Sequence, residues 1–141
     1  MLLIKNGLIH NAVRRTPFMA DILVDNKRII KIEPDIVRDG AEVYDAAGAE
    51  IYPGFVEAHA HTGLSGYGIG YEGHDYNELG DIISPQLRAI DAIEPRDETL
   101  AEARNAGVTT LCVGPGSANV LGGTFAAIKP VGCRVEQMCL K

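Results

Sequence analysis

The Pro53-Gly54 step divides the sequence into two stretches of different hydrophobic rhythm, and that change limits the folds open to the chain. Proline fixes its own φ and glycine frees the next residue, so the pair acts as punctuation. Before it, short β-branched runs at 2–5, 8–10, 20–24, 28–32 and 42–45 are separated by Asp, Asn and Gly. Asn6-Gly7 predicts a two-residue hairpin, and Asp25-Asn26 predicts a second turn. These strands are too few for a complete sandwich and read as part of a small sheet.

After the step, Phe55-Val56-Glu57-Ala58-His59 reads as a strand, and 62–80 is rich in glycine and polar residues with no apolar period. Pro85–Ile93 predicts a helix, with Ser84 as N-cap and Pro85 at its first position. Glu98–Asn105 predicts another, capped by Asp97 and stopped at Gly107. It leads into Val108–Val113, a nearly continuous apolar run of the kind buried on both faces of a parallel sheet. Strand, helix and strand in that order make a β-α-β unit, so the fold class is α/β. A last strand pair is expected at Thr124–Lys129 and Arg134–Leu140. The expected division is 1–52 and 53–141.

Composition removes several function classes. Hydrophobic residues make up 46% and charged residues 23%, which is globular rather than disordered. The net charge of −6, with no Lys/Arg run, argues against a nucleic-acid partner, whose affinity comes largely from phosphate neutralisation. No apolar run approaches the roughly 18–20 residues of a membrane span. The first residues lack the basic start and long apolar core of a secretion signal. Cys112, Cys133 and Cys139 form an odd set without C-x-x-C spacing, so a reducing cytoplasm is expected, with Cys112 a buried small hydrophobe.

The residues that carry chemistry are His59-Ala60-His61. Along an extended strand, side chains at i and i+2 share a face and stand roughly 6.6 Å apart. Two imidazoles so placed can converge on one metal at about 2.0–2.1 Å each. They end an apolar strand, where parallel α/β sheets and barrels place their sites. Alone, H-x-H is a weak signal; its setting adds to it.

Asp45-Ala46-Ala47-Gly48 followed by Ile51-Tyr52-Pro53-Gly54-Phe55-Val56-Glu57-Ala58-His59-Ala60-His61 resembles the opening signature of the amidohydrolase superfamily. In that signature a small β domain leads to "PGF", an acidic residue and H-x-H closing the first barrel strand. Ser84–Arg88 and Gly114-Pro115-Gly116-Ser117-Ala118-Asn119 look most like its imidazolonepropionase-related group. The resemblance implies N-terminal strands of a composite β-sandwich, then the first β/α units of an incomplete TIM (β/α)8 barrel. It implies a divalent metal, most often Zn2+, held by His59 and His61, and hydrolysis of C–N bonds in cyclic amides, ureas, imines or related small molecules. The family's other ligands come from later strands: a bridging lysine or carboxylate near the fourth, histidines from the fifth and sixth, an aspartate from the eighth. None can be located here, and Lys129 and Lys141 come too early to be the bridging lysine. A barrel takes about 200–250 residues, so the sequence is expected to be roughly the first third of an enzyme, inactive alone and with no catalytic residue of its own.

Weaker signals lie in the loops. His74-Asp75 follows the H-x-H strand and can face substrate or metal, though a solvated pair is the plainer reading. Ser117 and Asn119 are substrate-contact candidates in the loop after Val108–Val113, or local hydrogen-bonding turn residues. Glu57 is a candidate partner for the histidines, and His10 reads as structural. Gly68-Ile69-Gly70-Tyr71-Glu72-Gly73 matches G-x-G-x-x-G in form only, opens no clear helix, and reads as a flexible segment rather than a dinucleotide site. Two other functions fit the residues: a non-catalytic scaffold pairing its open barrel edge with a second copy, as a homo-oligomer, and a small metal-binding module adding His74 or Asp75 to the pair.

Overall fold

A computed structural model describes residues 1–68 and 70–140. Its polypeptide forms two compact units, the first covering Met1–Pro53 and the second beginning at Gly54.

The first unit is one mixed sheet. Its strands are β1 (Leu2–Ile9), β2 (Phe18–Asp25), β3 (Arg28–Glu33), β4 (Glu42–Asp45) and β5 (Glu50–Ile51), with β3-β2-β1-β4 in order and β5 also on β1. β2 runs antiparallel to β1 and β3. β4 and β5 lie parallel to β1 and cover successive parts of it, Leu2–Lys5 and then Leu8–Ile9. Leu3, Leu23 and Ile36 form one apolar cluster, and Ile9, Ala20 and Ile22 form another.

Asn6-Gly7 makes no hairpin. It is a bulge inside β1, where the pairing with β2 shifts between Ile4 and Gly7. Asn6 takes φ 57°, its N–H donates to Asp21 Oδ1 at 2.9 Å, and its side-chain amide donates to Asp45 Oδ1 at 2.9 Å. The left-handed conformation that suits Asn to a hairpin equally suits a bulge, and these partners select the bulge. Asp21 is only 3% exposed, and its other oxygen accepts from Ile36 N–H at 2.9 Å. The true two-residue loop is Asn26-Lys27, with φ 46° and 63°, the signs of a type I′ turn matched to strand twist.

The second unit has a three-stranded sheet, β6 (Phe55–Ala60), β7 (Val108–Val113) and β8 (Ala126–Ile128), in that order. β6 and β7 are parallel and joined through α1 (Glu98–Asn105), which gives the expected β-α-β unit; β8 returns antiparallel. Asp97 caps α1 by accepting from Thr99 N–H at 2.9 Å, and Gly107 follows at φ 91°. Leu64, Ile93, Leu100, Leu111, Val113, Ile128 and Met138 form the core.

Three expectations fail here. Pro85–Ile93 holds only a 3-10 turn at Ala89–Asp91. The residues before it make a turn at Pro85-Gln86, with a single bridge to the 121–124 segment on either side: Ser84 N–H donates to Leu121 O, and Ala89 N–H to Thr124 O. Those long-range bonds outweigh a local helical preference. Arg134–Leu140 is not a strand but holds the short helix α2 (Val135–Met138), which buries Met138 to 1% exposure. β7 is fully buried only at Leu111 and Val113 on one face, whose Thr109 is exposed, while Val108, Thr110 and Cys112 on the other face are half-buried. No helix among the described residues is long and apolar enough to cross a membrane.

Candidate functional site

β6 delivers His59 within the strand and His61 one residue beyond its end. Their rings meet edge to face, with centroids 5.2 Å apart. The i, i+2 spacing therefore brings both imidazoles together. His61 Nδ1 lies 2.7 Å from the Gly114 carbonyl oxygen, at the end of β7. A carbonyl only accepts, so Nδ1 carries a proton, and in the neutral imidazole Nε2 then holds the lone pair. A hydrogen bond from the non-ligating nitrogen to a carbonyl is the usual arrangement behind a metal-bound imidazole. His61 in that tautomer, with His59 beside it, fits a metal as a pair of imidazole donors. Among the described residues no group of three or more His, Cys, Asp or Glu side chains is placed to hold one.

The second wall comes from the loops. Tyr76 stacks on His61 with centroids 5.1 Å apart and planes 17° from parallel. Its other neighbour is His74, whose Nδ1 shares a 3.2 Å hydrogen bond with the Tyr76 hydroxyl. Gly116 N–H donates to Tyr76 O at 2.6 Å, which ties the loop after β6 to the loop after β7. A Cβ on Gly116 would stand 2.8 Å from Tyr76 Cδ2, so this close approach requires glycine. Phe125 packs 5.2 Å from His59 and fills the space where a Cβ on Gly114 would be. Beside these loops is a cavity of about 260 Å³, lined in part by Asp75, Tyr76, Asn77, Arg88 and Pro115. Arg88 forms a two-pronged ion pair with Asp91, at 2.9 and 2.7 Å. That pairing lowers the Asp91 carboxyl below its ordinary value and raises the guanidinium.

The other candidates are placed as follows. Glu57 turns its carboxylate to the backbone, accepting from His59 N–H at 3.1 Å. Asn119 donates both side-chain hydrogens to backbone carbonyls, Glu78 at 2.7 Å and Asp81 at 2.9 Å, and so clamps the 78–81 backbone. Ser117 is exposed in the same loop, and Asp75 N–H donates to Leu64 O. His10, in the first unit, stacks on Tyr52 at 4.2 Å. Tyr71–Gly73 of the glycine-rich segment forms a 3-10 turn; Ile69 lies outside the described residues, as does Lys141. Sequence reasoning missed Tyr76, Phe125 and the Gly114 carbonyl. Two of these are aromatics in irregular segments and the third is a backbone atom, so no periodicity marks them.

No family model matches the chain. It is 36% identical over 117 residues to a protein of Hapsidospora irregularis named amidohydrolase tasK, matching 79% of this chain and 12% of that protein. It is 43% identical over 61 residues to a dihydroorotase of Streptococcus pneumoniae, matching 43% of this chain and 14% of the enzyme. The crystal structure of an amidohydrolase from Thermotoga maritima superposes with a TM-score of 0.95 and 37% identity, covering 100% of this chain and 37% of that one. The chain thus spans about an eighth to a third of the lengths of these relatives.

Proposed function

We propose, from the premise that this chain belongs to the amidohydrolase superfamily, that the whole protein is a metal-dependent hydrolase of C–N bonds in cyclic amides or related small molecules. His59 and His61 are two of its metal ligands. The observation that carries this reading is the pair of edge-to-face imidazoles at the end of β6, with His61 Nδ1 bonded to the Gly114 carbonyl. The dihydroorotase among the relatives supports a cyclic substrate. The similarity of Ser84–Arg88 and Gly114–Asn119 to the imidazolonepropionase-related group points the same way.

A bound divalent ion, Zn2+ being the choice for neutral imidazoles, supplies a polarised carbonyl or a bound water with a pKa near 7. This chain's own residues orient the donors and wall the site. Gly114 O holds the proton of His61 on Nδ1. Phe125 flanks the exposed His59, and Tyr76 covers one face of His61. His74 and the exposed Ser117 are the substrate contacts, and Asn119 serves by fixing the backbone beside them. Three free cysteines suit a cytoplasmic setting. Catalytic zinc sites keep about three protein ligands, so the chain by itself binds metal weakly and does not turn over substrate.

Zinc titration by calorimetry or competition tests the ligands. Loss of His59 or His61 as H59A or H61A is expected to weaken binding by more than about tenfold. Equal binding by the double variant overturns the assignment.

A further inference from the structure

We propose that Tyr76 is the positioning residue of this metal site: its ring, together with the Gly114 carbonyl, holds the His61 imidazole in the one orientation and tautomer that leaves Nε2 free as a donor. The proposal rests on the reading of His59 and His61 as ligands and deepens it. An imidazole on a short side chain has two rotations to lose. The 2.7 Å hydrogen bond at Nδ1 fixes which edge faces β7. It does not stop the ring from tilting about that bond. The Tyr76 ring, stacked 17° from parallel on one face of His61, does.

Tyr76 can serve because it is itself held from several directions. Its carbonyl accepts from Gly116 N–H at 2.6 Å, and the preceding N–H, that of Asp75, donates to Leu64 O at 2.8 Å. Its hydroxyl is bonded to His74 Nδ1 at 3.2 Å, and its ring packs partly buried against the core that contains Leu64 and Val113. Both contacts on His61 therefore trace back to one glycine-rich segment. Gly114 gives the carbonyl, and Gly116, lacking a Cβ, gives Tyr76 its seat. His74 acts one step further out, on the hydroxyl of Tyr76, and reaches His61 only through that ring.

The test is side-chain 15N NMR of the histidines, read with and without zinc, in wild type and in Y76L and Y76F. Leucine keeps the apolar bulk that the core needs and removes the stacking face; backbone amide spectra confirm that each variant is folded. In the wild type, His61 should be a single Nδ1-protonated tautomer, and zinc should shift His59 and His61 together. Y76L should show mixed tautomers at His61 and bind zinc about five- to tenfold more weakly. Y76F keeps the ring and its seat against Gly116 and the core, and should leave both readouts within about twofold of wild type. A merely structural tyrosine would change stability but leave the His61 tautomer alone. Zinc affinity and tautomer unchanged in Y76L overturn the proposal while leaving the ligands in place. Zinc that moves neither imidazole in the wild type overturns the ligand reading and the proposal with it.

Discussion

At Gly114 the missing side chain and the carbonyl face different neighbours. The Phe125 ring occupies the volume a Cβ would need, and the oxygen accepts from His61 Nδ1. Gly114→Ala must push the ring aside, and that ring flanks His59. Overpacking of this kind costs about 1–3 kcal/mol. Urea unfolding should report that loss, and the His59 ring resonances should move; an unchanged midpoint would refute the contact. A second residue-scale expectation concerns acid. Hydrogen bonds from Asn6 Nδ2, first, and from Ala47 N–H hold the Asp45 carboxyl below its ordinary value. A lowered folded-state pKa means the contribution is fully present above the unfolded value of about 3.9 and lost as pH falls through the folded one. Asp45→Asn should therefore flatten the pH dependence of unfolding below about pH 4 and leave its shape near neutrality unchanged.

At the scale of elements, α1 depends on its cap. Asp97 is buried and accepts from Thr99 N–H and Thr99 Oγ1. Asp97→Ala should cost about 1 kcal/mol and speed hydrogen exchange at the first turn of α1, with β1–β5 amides unaffected. This helix was legible in the sequence because cap, apolar spacing and terminal glycine all agree over 97–107. The strands before Lys129 were legible for a similar reason, unlike the expected strand at Arg134–Leu140, and so was the meeting of His59 with His61, which follows from the two-residue period of an extended chain. Pro85–Ile93 was not, because backbone bonds to residues some 37 positions away decide its conformation. Asn6-Gly7 misled for a different reason: one left-handed residue serves hairpins and bulges alike, and Asp21, distant in sequence, makes the choice. The site's walls share this limit. Tyr76 and Phe125 matter through contacts between loops, which no local pattern encodes.

For the molecule as a whole, the two units are the N-terminal strands of a β-sandwich and the opening β/α elements of a TIM barrel, as in the superfamily. β6 lies at one end of its sheet order, and Val56 on it is 69% exposed. An uncovered apolar edge pairs with further strands. The chain should associate with rising concentration in light scattering, and Val56→Lys should suppress this; concentration-independent scattering in the wild type would refute it. The bond from His61 to Gly114 spans 53 positions. At about 5–20 residues per second, a ribosome makes the imidazole roughly 3–10 s before the carbonyl that orients it. Until then the imidazole has no partner at Nδ1 and either nitrogen can carry its proton, so the tautomer is written late, by a contact between two loops.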